Sequence, residues 1–340
     1  MPPEADAVSQ QTPIATPEGG APDRIVAFSA RALGSLLRLS VRFPAEHDAT
    51  AADEAAEAAW ALVTAEFAAV DRSLSRFRDD SELTRLNRLA GTDVVVPVSR
   101  RLRIALAAVD RASRMTGNRF DASVLGALER LGERGANLDA AAEVPAAVDP
   151  GERMRPAHVP PVPLDMGGIG KGLALRWAAA AALPALPASA GLLLEAGGDI
   201  IHAGVPPEDG WRIGVEDPAA DPGTQAPPLV VLEVVGGAVA TSSVRVRNWI
   251  GPEGRPVHHL VDPTTREPAR TGLVAVTVAG SDPAWAEVWS KALFVTGRDA
   301  IGDEARARGL AAWWVDDRGR LGMTPDARVR TVWAAEDRLG

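Results

Sequence analysis

Helical and strand-like periodicities occupy different parts of this 340-residue sequence. Between residues 45 and 131 apolar side chains recur at helical spacing, and Ser81 and Ser99 stand where N-caps are expected. From residue 164 to residue 340 the pattern changes to short apolar runs separated by glycine-rich turns, which predicts strands of one sheet system. Helices gathered early and strands gathered late favour an α+β fold over a strict alternation of the two.

The remaining stretches carry weaker patterns. Residues 1–23 lack periodic apolar positions and are rich in proline, glycine and threonine, so we expect a disordered tail. Residues 24–43 predict one or two strands, broken at Gly34. In residues 135–163 the proline content rises and the periodicity fades, which indicates a long surface excursion. We expect the tail to be followed by a single domain over residues 24–340.

Charge and composition exclude several classes of function. The formal net charge of −9 argues against general binding to nucleic acid or to anionic membranes, because both depend on surplus lysine and arginine. The absence of cysteine excludes disulfides, a thiolate nucleophile and a cysteine zinc site. No signal-peptide pattern stands at the start, and no apolar run reaches the ~18 residues of a membrane span. We therefore expect a cytoplasmic protein without membrane insertion.

The segment LDMGGIGKG, residues 164–172, holds one of only two lysines in the chain. Its glycines allow backbone N–H groups to approach an anion at the expected start of a helix, with Lys171 beside them. The segment does not match a P-loop, because Asp165 replaces the first glycine and Gly172 replaces the hydroxyl residue. Leu173 breaks the dinucleotide fingerprint. A tight strand-to-helix turn without a ligand remains an equal alternative.

A histidine pair lies in GRPVHHLVDPTTREPA, residues 254–269. Neighbouring residues of a strand point to opposite faces, so only one of His258 and His259 can face a given pocket. A metal site built from both is therefore not expected. Asp262 and the proline after it end the strand and start a turn, where a ligand can reach the histidine. From the residues alone, a structural histidine is the commoner alternative.

A third segment, SDPAWAEVWSKALFVTG, places Glu287 and Lys291 at positions i and i+4 of an expected helix. With the acid first, this spacing stabilises an exposed helix by roughly 0.2–0.5 kcal/mol. From the residues alone, the pair is interpreted as a surface ion pair.

The order of these segments is more specific than any one of them. LLEAGGDIIHAG follows the lysine segment, VATSS precedes the histidine pair, and SRFRDDSELTRLN and FDASVLGAL lie upstream. From about Arg31 to Gly297, this series resembles the FAD:protein FMN transferases, the ApbE-type family. The resemblance implies an α+β fold with a mixed sheet system and flanking helices. It also implies cleavage of FAD, usually with Mg²⁺, and transfer of FMN through a phosphoester to a threonine or serine of a flavin-carrying acceptor protein.

The resemblance further implies roles for individual residues. His259 would activate the acceptor hydroxyl group, Asp262 would fix the turn beside it, and Lys171 would reach the diphosphate. The residues implied in binding FAD are Leu33, Gly34, Ser35, Phe120, Asp121, Asp165, Gly167, Gly168, Gly170, Gly197, Gly198, Asp199 and Thr241. The residues matched to the family's S-E-x-x-x-x-N segment are Ser81, Glu82 and Asn87.

The chain departs from the family where the metal is expected. Glu287 stands in place of an aspartate, and Lys291 stands in place of a threonine four residues later. Protonated lysine cannot ligate Mg²⁺, so either Lys291 replaces part of the charge of the metal or the metal has been lost. Ser243 and Arg266 replace two turn glycines, which predicts altered turn conformations. A flavin-binding protein without transfer activity and an FAD pyrophosphatase therefore remain as alternatives.

Overall fold

The computed structural model describes residues 22–140, 153–220 and 226–339. The predicted tail therefore lies almost wholly outside the described residues. In chain order the helices are α1 (Ala49–Leu74), α2 (Glu82–Arg88), α3 (Arg100–Met115), α4 (Leu125–Arg130), α5 (Gly170–Ala182), α6 (Pro283–Thr296), α7 (Ile301–Ala307) and α8 (Pro325–Val329). Within the described ranges, none of them combines the length and the apolar character that crossing a bilayer requires.

The strands are numbered in the same way. They are β1 (Arg24–Ala32), β2 (Ser35–Phe43), β3 (Val95–Val98), β4 (Arg155–His158), β5 (Gly191–Ala196), β6 (Asp199–Gly204), β7 (Trp211–Val215), β8 (Val230–Val234), β9 (Gly237–Ser243), β10 (Asn248–Ile250), β11 (Pro256–His258), β12 (Leu273–Gly280), β13 (Ala311–Asp316), β14 (Leu321–Met323) and β15 (Thr331–Ala334).

An eight-stranded antiparallel sheet is the centre of the described structure, in the order β1-β2-β5-β6-β9-β12-β13-β14. Helix α5 packs against β5 and β6, and α6 packs against β9 and β12. The two helices also contact each other, so they cover the central strands side by side. This arrangement is the predicted α+β architecture.

Residues 24–43 form two strands that break at Gly34, as the sequence predicts. Leu33 and Gly34 make the two-residue turn, with φ of 48° and 74°. Paired left-handed residues suit the twist of such a hairpin, but leucine adopts this conformation at a cost of about 1–2 kcal/mol. The core-facing residues of β2, each at most 1% exposed, are Leu37, Leu39, Val41 and Phe43.

Helix α1 fixes the position of α5 through small residues. Its N-cap is Asp48, whose side chain accepts a hydrogen bond from the Ala51 N–H group at 2.9 Å. Its fully buried stripe comprises Ala52, Ala56, Ala59, Val63 and Phe67. Alanine allows the two backbones to approach closely, and α5 contributes alanines of its own to this core. The helix that begins at the glycine-rich segment is therefore held by tight packing.

The later strands do not form the single sheet system that the sequence predicts. β7, β8 and β15 make a separate three-stranded sheet, and β10 and β11 make a hairpin of their own. Apolar residues of the three-stranded sheet pack against Trp313 of β13 in a second core. Because apolar alternation is the same in both sheets, it could not assign each strand to its partners.

The predicted surface excursion, residues 135–163, also contains a strand. β4 pairs with β3, and Pro156 lies opposite Pro97 in the register. Proline has no N–H group to donate and interrupts the alternation of apolar residues, so the strand could not be recognised from its pattern. Residues 141–152 of the excursion lie outside the described residues.

Helices α5 and α6 are in close backbone contact at Gly172. A Cβ atom at this position would lie 2.4 Å from the Ala284 Cα atom and 2.6 Å from the Pro283 carbonyl oxygen. Both obstacles are backbone atoms of α6, which cannot turn aside as a flexible side chain can. The distance between the two helices therefore requires glycine here.

Replacing Gly172 with alanine should push α5 away from α6 and lower the free energy of unfolding by about 1–3 kcal/mol. Denaturant unfolding followed by tryptophan fluorescence measures this loss. Gly126→Ala in α4 is the matched control, because its Cβ atom would meet only the Arg130 guanidinium, at 3.9 Å. It should be neutral or slightly stabilising. Equal stability of Gly172→Ala and the wild type would contradict the close packing.

Candidate active site

Segments from four parts of the chain enclose an open cleft of about 580 Å³, a volume that includes space continuous with solvent. Phe120 and Asp121 precede α4, and Gly168 precedes α5. His259 follows β11, and Lys291 lies within α6. Segments that the sequence singled out separately therefore meet in one cleft.

The glycine-rich segment forms the turn into a helix, as predicted, and this helix, α5, begins at Gly170. The N–H groups of Gly167, Gly170 and Gly172 already donate hydrogen bonds to acceptors within the protein. Among the described residues, no acceptor meets the Gly168 N–H group. The prediction that the four glycine N–H groups of this segment meet an anion is therefore wrong for Gly167, Gly170 and Gly172, and only the Gly168 N–H group is left for a ligand. The reason is that nearby carboxylates and a carbonyl satisfy the donors of the helix start.

Gly168 lies in a narrow gap between Phe120 and Lys291. A Cβ atom here would lie 2.6 Å from Phe120 Cε2 and 3.3 Å from Lys291 Cδ. The phenyl ring is only 5% exposed and has little freedom to move. Glycine therefore allows the loop to pass, and it brings the Gly168 backbone and the lysine side chain to the same wall of the cleft.

Helix α2 holds the start of the glycine-rich segment. Asn87 Nδ2 donates to the Leu164 carbonyl at 2.8 Å, and Asn87 Oδ1 accepts from the Leu164 N–H group at 2.9 Å. Ser81 caps α2, and Glu82 Oε1 accepts from the Ser99 N–H group at 2.9 Å. The S-E-x-x-x-x-N match therefore positions the loop from behind, and its residues do not line the cleft.

Behind the cleft, α5, β6 and α6 bring four charged side chains together. Lys171 forms ion pairs with Asp199 and with Glu287, whose Oε1 atom lies 2.9 Å from Lys171 Nζ. Lys291 Nζ lies 3.3 Å from the same Glu287 oxygen. The side chains of Asp199 and Glu287 are each 1% exposed. This ion-pair cluster therefore balances two buried negative charges with two positive charges.

Backbone donors occupy the remaining carboxylate oxygens of the ion-pair cluster. Glu287 Oε2 accepts from the Gly172 N–H group at 2.8 Å, and Asp199 Oδ1 accepts from the Thr241 N–H group at 3.1 Å. Burial lowers the pKa of Lys171, but the two carboxylates outweigh burial, so this pKa lies above its ordinary value. Burial lowers the pKa of Lys291, and the positive charge of Lys171 lowers it further. The negative charge of Glu287 raises this pKa but does not outweigh them, so it lies below its ordinary value.

The interpretation of Glu287 and Lys291 as a surface ion pair is wrong, because Glu287 is completely buried. A helix that is apolar on all sides lies in the interior, and this signal was present in the sequence of α6. The buried apolar residues that surround the pair on α6 are Ala284, Ala286, Val288, Trp289, Ala292, Leu293 and Phe294.

The structure places one histidine of the pair on the cleft, as predicted. His258 packs edge-on against Phe294, whereas His259 lines the cleft. His259 Nδ1 lies 3.2 Å from the Arg247 carbonyl oxygen, which can only accept, so the neutral ring carries its proton on Nδ1 and leaves Nε2 as the basic atom. Burial, followed by the charges of Arg247 and Lys291, lowers the pKa of His259 to about 3.

The ApbE family model matches residues 33–314, more than half of the chain. The chain belongs to the ApbE family. Its relatives include the FAD:protein FMN transferase of Klebsiella pneumoniae (strain 342), 27% identical over 331 residues, which cover 90% of this chain and 89% of the relative. The FAD:protein FMN transferase of Treponema pallidum is 29% identical over 294 residues, which cover 78% of this chain and 77% of the relative.

Solved ApbE structures share the fold. The ApbE protein of Thermotoga maritima matches with a TM-score of 0.72 at 25% identity, over 90% of this chain and 99% of that structure. The apo form of the Pseudomonas stutzeri flavinyl transferase ApbE matches with a TM-score of 0.71 at 22% identity, over 92% of this chain and 99% of that structure. The resemblance seen in the sequence and the predicted α+β fold are thereby confirmed.

A metal site of the kind expected for the ApbE family does not fit these residues. The oxygens of Glu287 and Asp199 already accept from ammonium or backbone N–H groups, and the Lys291 ammonium has no lone pair to offer a metal. Within the described ranges, no group of three or more histidine, aspartate or glutamate side chains is placed to hold a metal ion. The charge that a divalent ion would bring is already present as lysine.

Arg266, which replaces a glycine of the ApbE pattern, keeps the glycine conformation with φ of 59°. Its guanidinium donates to the Ser123 carbonyl at 3.0 Å and to Asp121 Oδ2 at 3.2 Å. The prediction of an altered turn is therefore wrong at this position. These hydrogen bonds offset the roughly 1–2 kcal/mol that a left-handed non-glycine residue costs.

Several residues matched to the ApbE motifs lie outside the cleft lining, and their roles in binding FAD or in transfer stay predictions. These residues are Leu33, Gly34, Ser35, Gly170, Lys171, Gly197, Gly198, Asp199, Thr241, Asp262 and Glu287. Many of them surround Lys171: a Cβ atom at Gly197 would lie 2.8 Å from Ser35 Cβ and 3.9 Å from Lys171 Cδ. Lys291 belongs both to the cleft lining and to the ion-pair cluster, because it lines the cleft and contacts Glu287. The structure thus places Lys291, and not Lys171, on the cleft wall.

Two further cations line the cleft. They are Arg119 and Arg247, and sequence reasoning missed both. Neither lies in a motif with recognisable spacing, and arginine is too common in this chain for a single one to stand out.

The low pKa of His259 predicts an acid-sensitive stability. The folded protein keeps the ring neutral down to about pH 3, whereas the unfolded chain takes up a proton near its ordinary pKa of 6.5. Stability is therefore unaffected above about pH 7 and is lost as pH falls, by about 2 kcal/mol at pH 5. Denaturant unfolding at pH 7 and pH 5 should show a loss about 2 kcal/mol larger in the wild type than in His259→Asn, which keeps the contributions of His202 and His258, whose pKa values burial also lowers. The same pH dependence in both proteins would contradict the low pKa.

Replacing Glu287 with glutamine should leave Lys291 without its carboxylate partner and Lys171 with Asp199 alone, and it should lower the free energy of unfolding by about 3–5 kcal/mol. Asp110→Asn is the control, because this exposed aspartate pairs with Arg114 four residues later on the surface of α3. Its loss should stay below about 1 kcal/mol. Thermal and denaturant unfolding compare the two variants, and similar losses would argue against a buried ion-pair cluster.

Proposed function

We propose that this chain transfers FMN from FAD to the hydroxyl group of a threonine or serine on a flavin-carrying acceptor protein. Similarity over most of its length to two relatives named FAD:protein FMN transferase supports this function. The observation that carries the proposal is that His259, Lys291 and Gly168 line the same cleft. A basic nitrogen and donors for an anion are the groups that such a transfer needs.

In the proposed reaction, the acceptor oxygen attacks the phosphorus atom on the FMN side of the FAD diphosphate. The bond between this phosphorus and the bridging oxygen breaks, and AMP leaves with that oxygen. The hydroxyl proton passes to His259 Nε2 and then to the solvent or to AMP. One phosphoester to the acceptor forms for each diphosphate bond broken, and nothing is oxidised or reduced.

Transfer of this kind depends mainly on positioning and on neutralisation of phosphate charge. Lys291, Arg119 and Arg247 supply positive charge at the cleft, and Phe120 and Leu260 supply apolar surface for a ring system. We assign the diphosphate to the cationic wall and a ring of the nucleotide to the apolar surface. The adjoining β1–β2 and β5–β6 turns, which meet where Ser35 approaches Gly197, would extend the FAD site.

The positive charges around His259 make its pKa depend on whether the nucleotide is bound. In the free protein a pKa of about 3 makes His259 a weak base. A bound diphosphate would offset the charges of Arg247 and Lys291, which are two causes of this low value. His259 would therefore become a stronger base when FAD is present.

His259→Ala should lower the rate of FMN transfer by about 10²–10⁴-fold while leaving FAD bound, because the general base is lost. Mass spectrometry of a co-expressed flavin-carrier domain measures the FMN adduct, and flavin fluorescence measures FAD binding. His258→Gln is the matched control, since His258 packs on Phe294 and does not line the cleft. An adduct formed by His259→Ala at the wild-type rate would remove this histidine from the mechanism.

The same assay separates the alternative functions. An FMN adduct that the wild-type protein forms on the carrier domain supports transfer. Free FMN and AMP without an adduct would identify an FAD pyrophosphatase, and intact bound FAD would identify a flavin-binding protein.

A further inference from the structure

Both lysines of the chain lie in the ion-pair cluster, 120 residues apart in sequence at positions 171 and 291. All other basic side chains apart from histidine are arginine. Lysine carries its charge on a compact ammonium group, whereas arginine carries a wide planar fork. The ion-pair cluster is therefore built for small cations between two buried carboxylates.

The two lysines do different things. Lys171 is bonded to both carboxylates and lies outside the cleft lining. Lys291 contacts one carboxylate oxygen, Glu287 Oε1 at 3.3 Å, and among the described residues no second acceptor meets its ammonium. An ammonium has three N–H donors, so Lys291 keeps donors for a ligand. Its side chain passes Gly168 and is 17% exposed at the cleft wall.

We propose that Lys291 is a built-in cation that binds the diphosphate of the nucleotide, and that this chain works without a divalent metal. This inference rests on the proposed function and names the group that neutralises the phosphate charge. Lys171 satisfies Asp199 and shares Glu287, which leaves Lys291 free to meet the ligand. Glu287 acts by positioning: it holds the Lys291 ammonium while the side chain of Lys291 passes Gly168.

The same residues oppose binding of a divalent ion. Mg²⁺ requires oxygen ligands in a near-octahedral arrangement. A metal ion at Glu287 would meet the two ammonium groups that already contact its Oε1 atom. Like charges at such short range repel strongly in a buried site. Lys291 therefore both replaces the charge of a metal and excludes one.

The first experiment uses the wild-type protein alone. FAD binding is measured by flavin fluorescence in excess EDTA and in millimolar Mg²⁺, and metal binding is measured by electron paramagnetic resonance with Mn²⁺. We expect FAD affinity and FMN transfer to be the same in EDTA and in Mg²⁺, with no stoichiometric Mn²⁺ site. Binding or transfer that requires Mg²⁺, or a stoichiometric Mn²⁺ site, overturns the inference.

The second experiment changes the cation. Lys291→Met should weaken FAD binding in EDTA by about 10- to 100-fold, the effect of losing one charged hydrogen bond, whereas Lys291→Arg should retain more of the affinity. Arg176→Met is the matched control, because Arg176 also joins α5 to α6, through Asp282, but does not touch the ion-pair cluster. It should bind FAD as the wild type does. Wild-type affinity in Lys291→Met overturns the inference.

A double variant tests the exchange of lysine for metal. Glu287→Asp with Lys291→Thr should bind FAD weakly in EDTA and recover affinity in Mg²⁺, together with a new Mn²⁺ signal. No response to either metal counts against the exchange.

The failure of this inference differs from the failure of the proposed function. Transfer that occurs only with Mg²⁺ supports the function and overturns the inference. FAD binding in EDTA that depends on Lys291, without an adduct on the carrier, supports the cation and contradicts transfer. No FAD binding under either condition contradicts both.

Discussion

The ion-pair cluster determines how the rest of the site is arranged. Asp199 and Glu287 are buried, and an unpaired buried carboxylate would destabilise the fold by several kcal/mol. Lys171 satisfies both, so one side chain of α5 ties together β6 and α6. This bond is possible only because Gly172 lets the two helices approach to backbone contact. The start of α5, and with it the Gly168 loop, is thereby fixed against Lys291 and the cleft.

The outer parts of the structure act on the site through this arrangement. The alanines of α1 set the position of α5, and Asn87 holds both backbone groups of Leu164 where the loop begins. The cleft wall is therefore built from backbone and short side chains that have few alternative conformations. A site whose positions are fixed before the ligand arrives loses little entropy on binding, which suits a reaction that depends on positioning.

Local features of the site and fold were predictable from the sequence, and features set by packing were not. Near neighbours in the chain determine the caps at Ser81 and Ser99 and the break at Gly34. They also determine that only one of the two adjacent histidines faces the cleft. The burial of Glu287 was not foreseen, because an i, i+4 pair looks the same on a surface and in a core. The family resemblance supplied most of the candidate residues, but it could not show which of them line the cleft. That distinction depends on the approach of α5 to α6, to which no single motif corresponds.

Arg266 has a backbone role and a side-chain role, and a substitution at this position changes both. Its backbone makes a bend that glycine normally makes, and its guanidinium braces this bend against Asp121 and Ser123 by hydrogen bonds. Returning glycine to this position would relax the chain and remove the brace in the same step. A glycine at this bend would consequently leave Asp121, which lines the cleft, without its guanidinium partner.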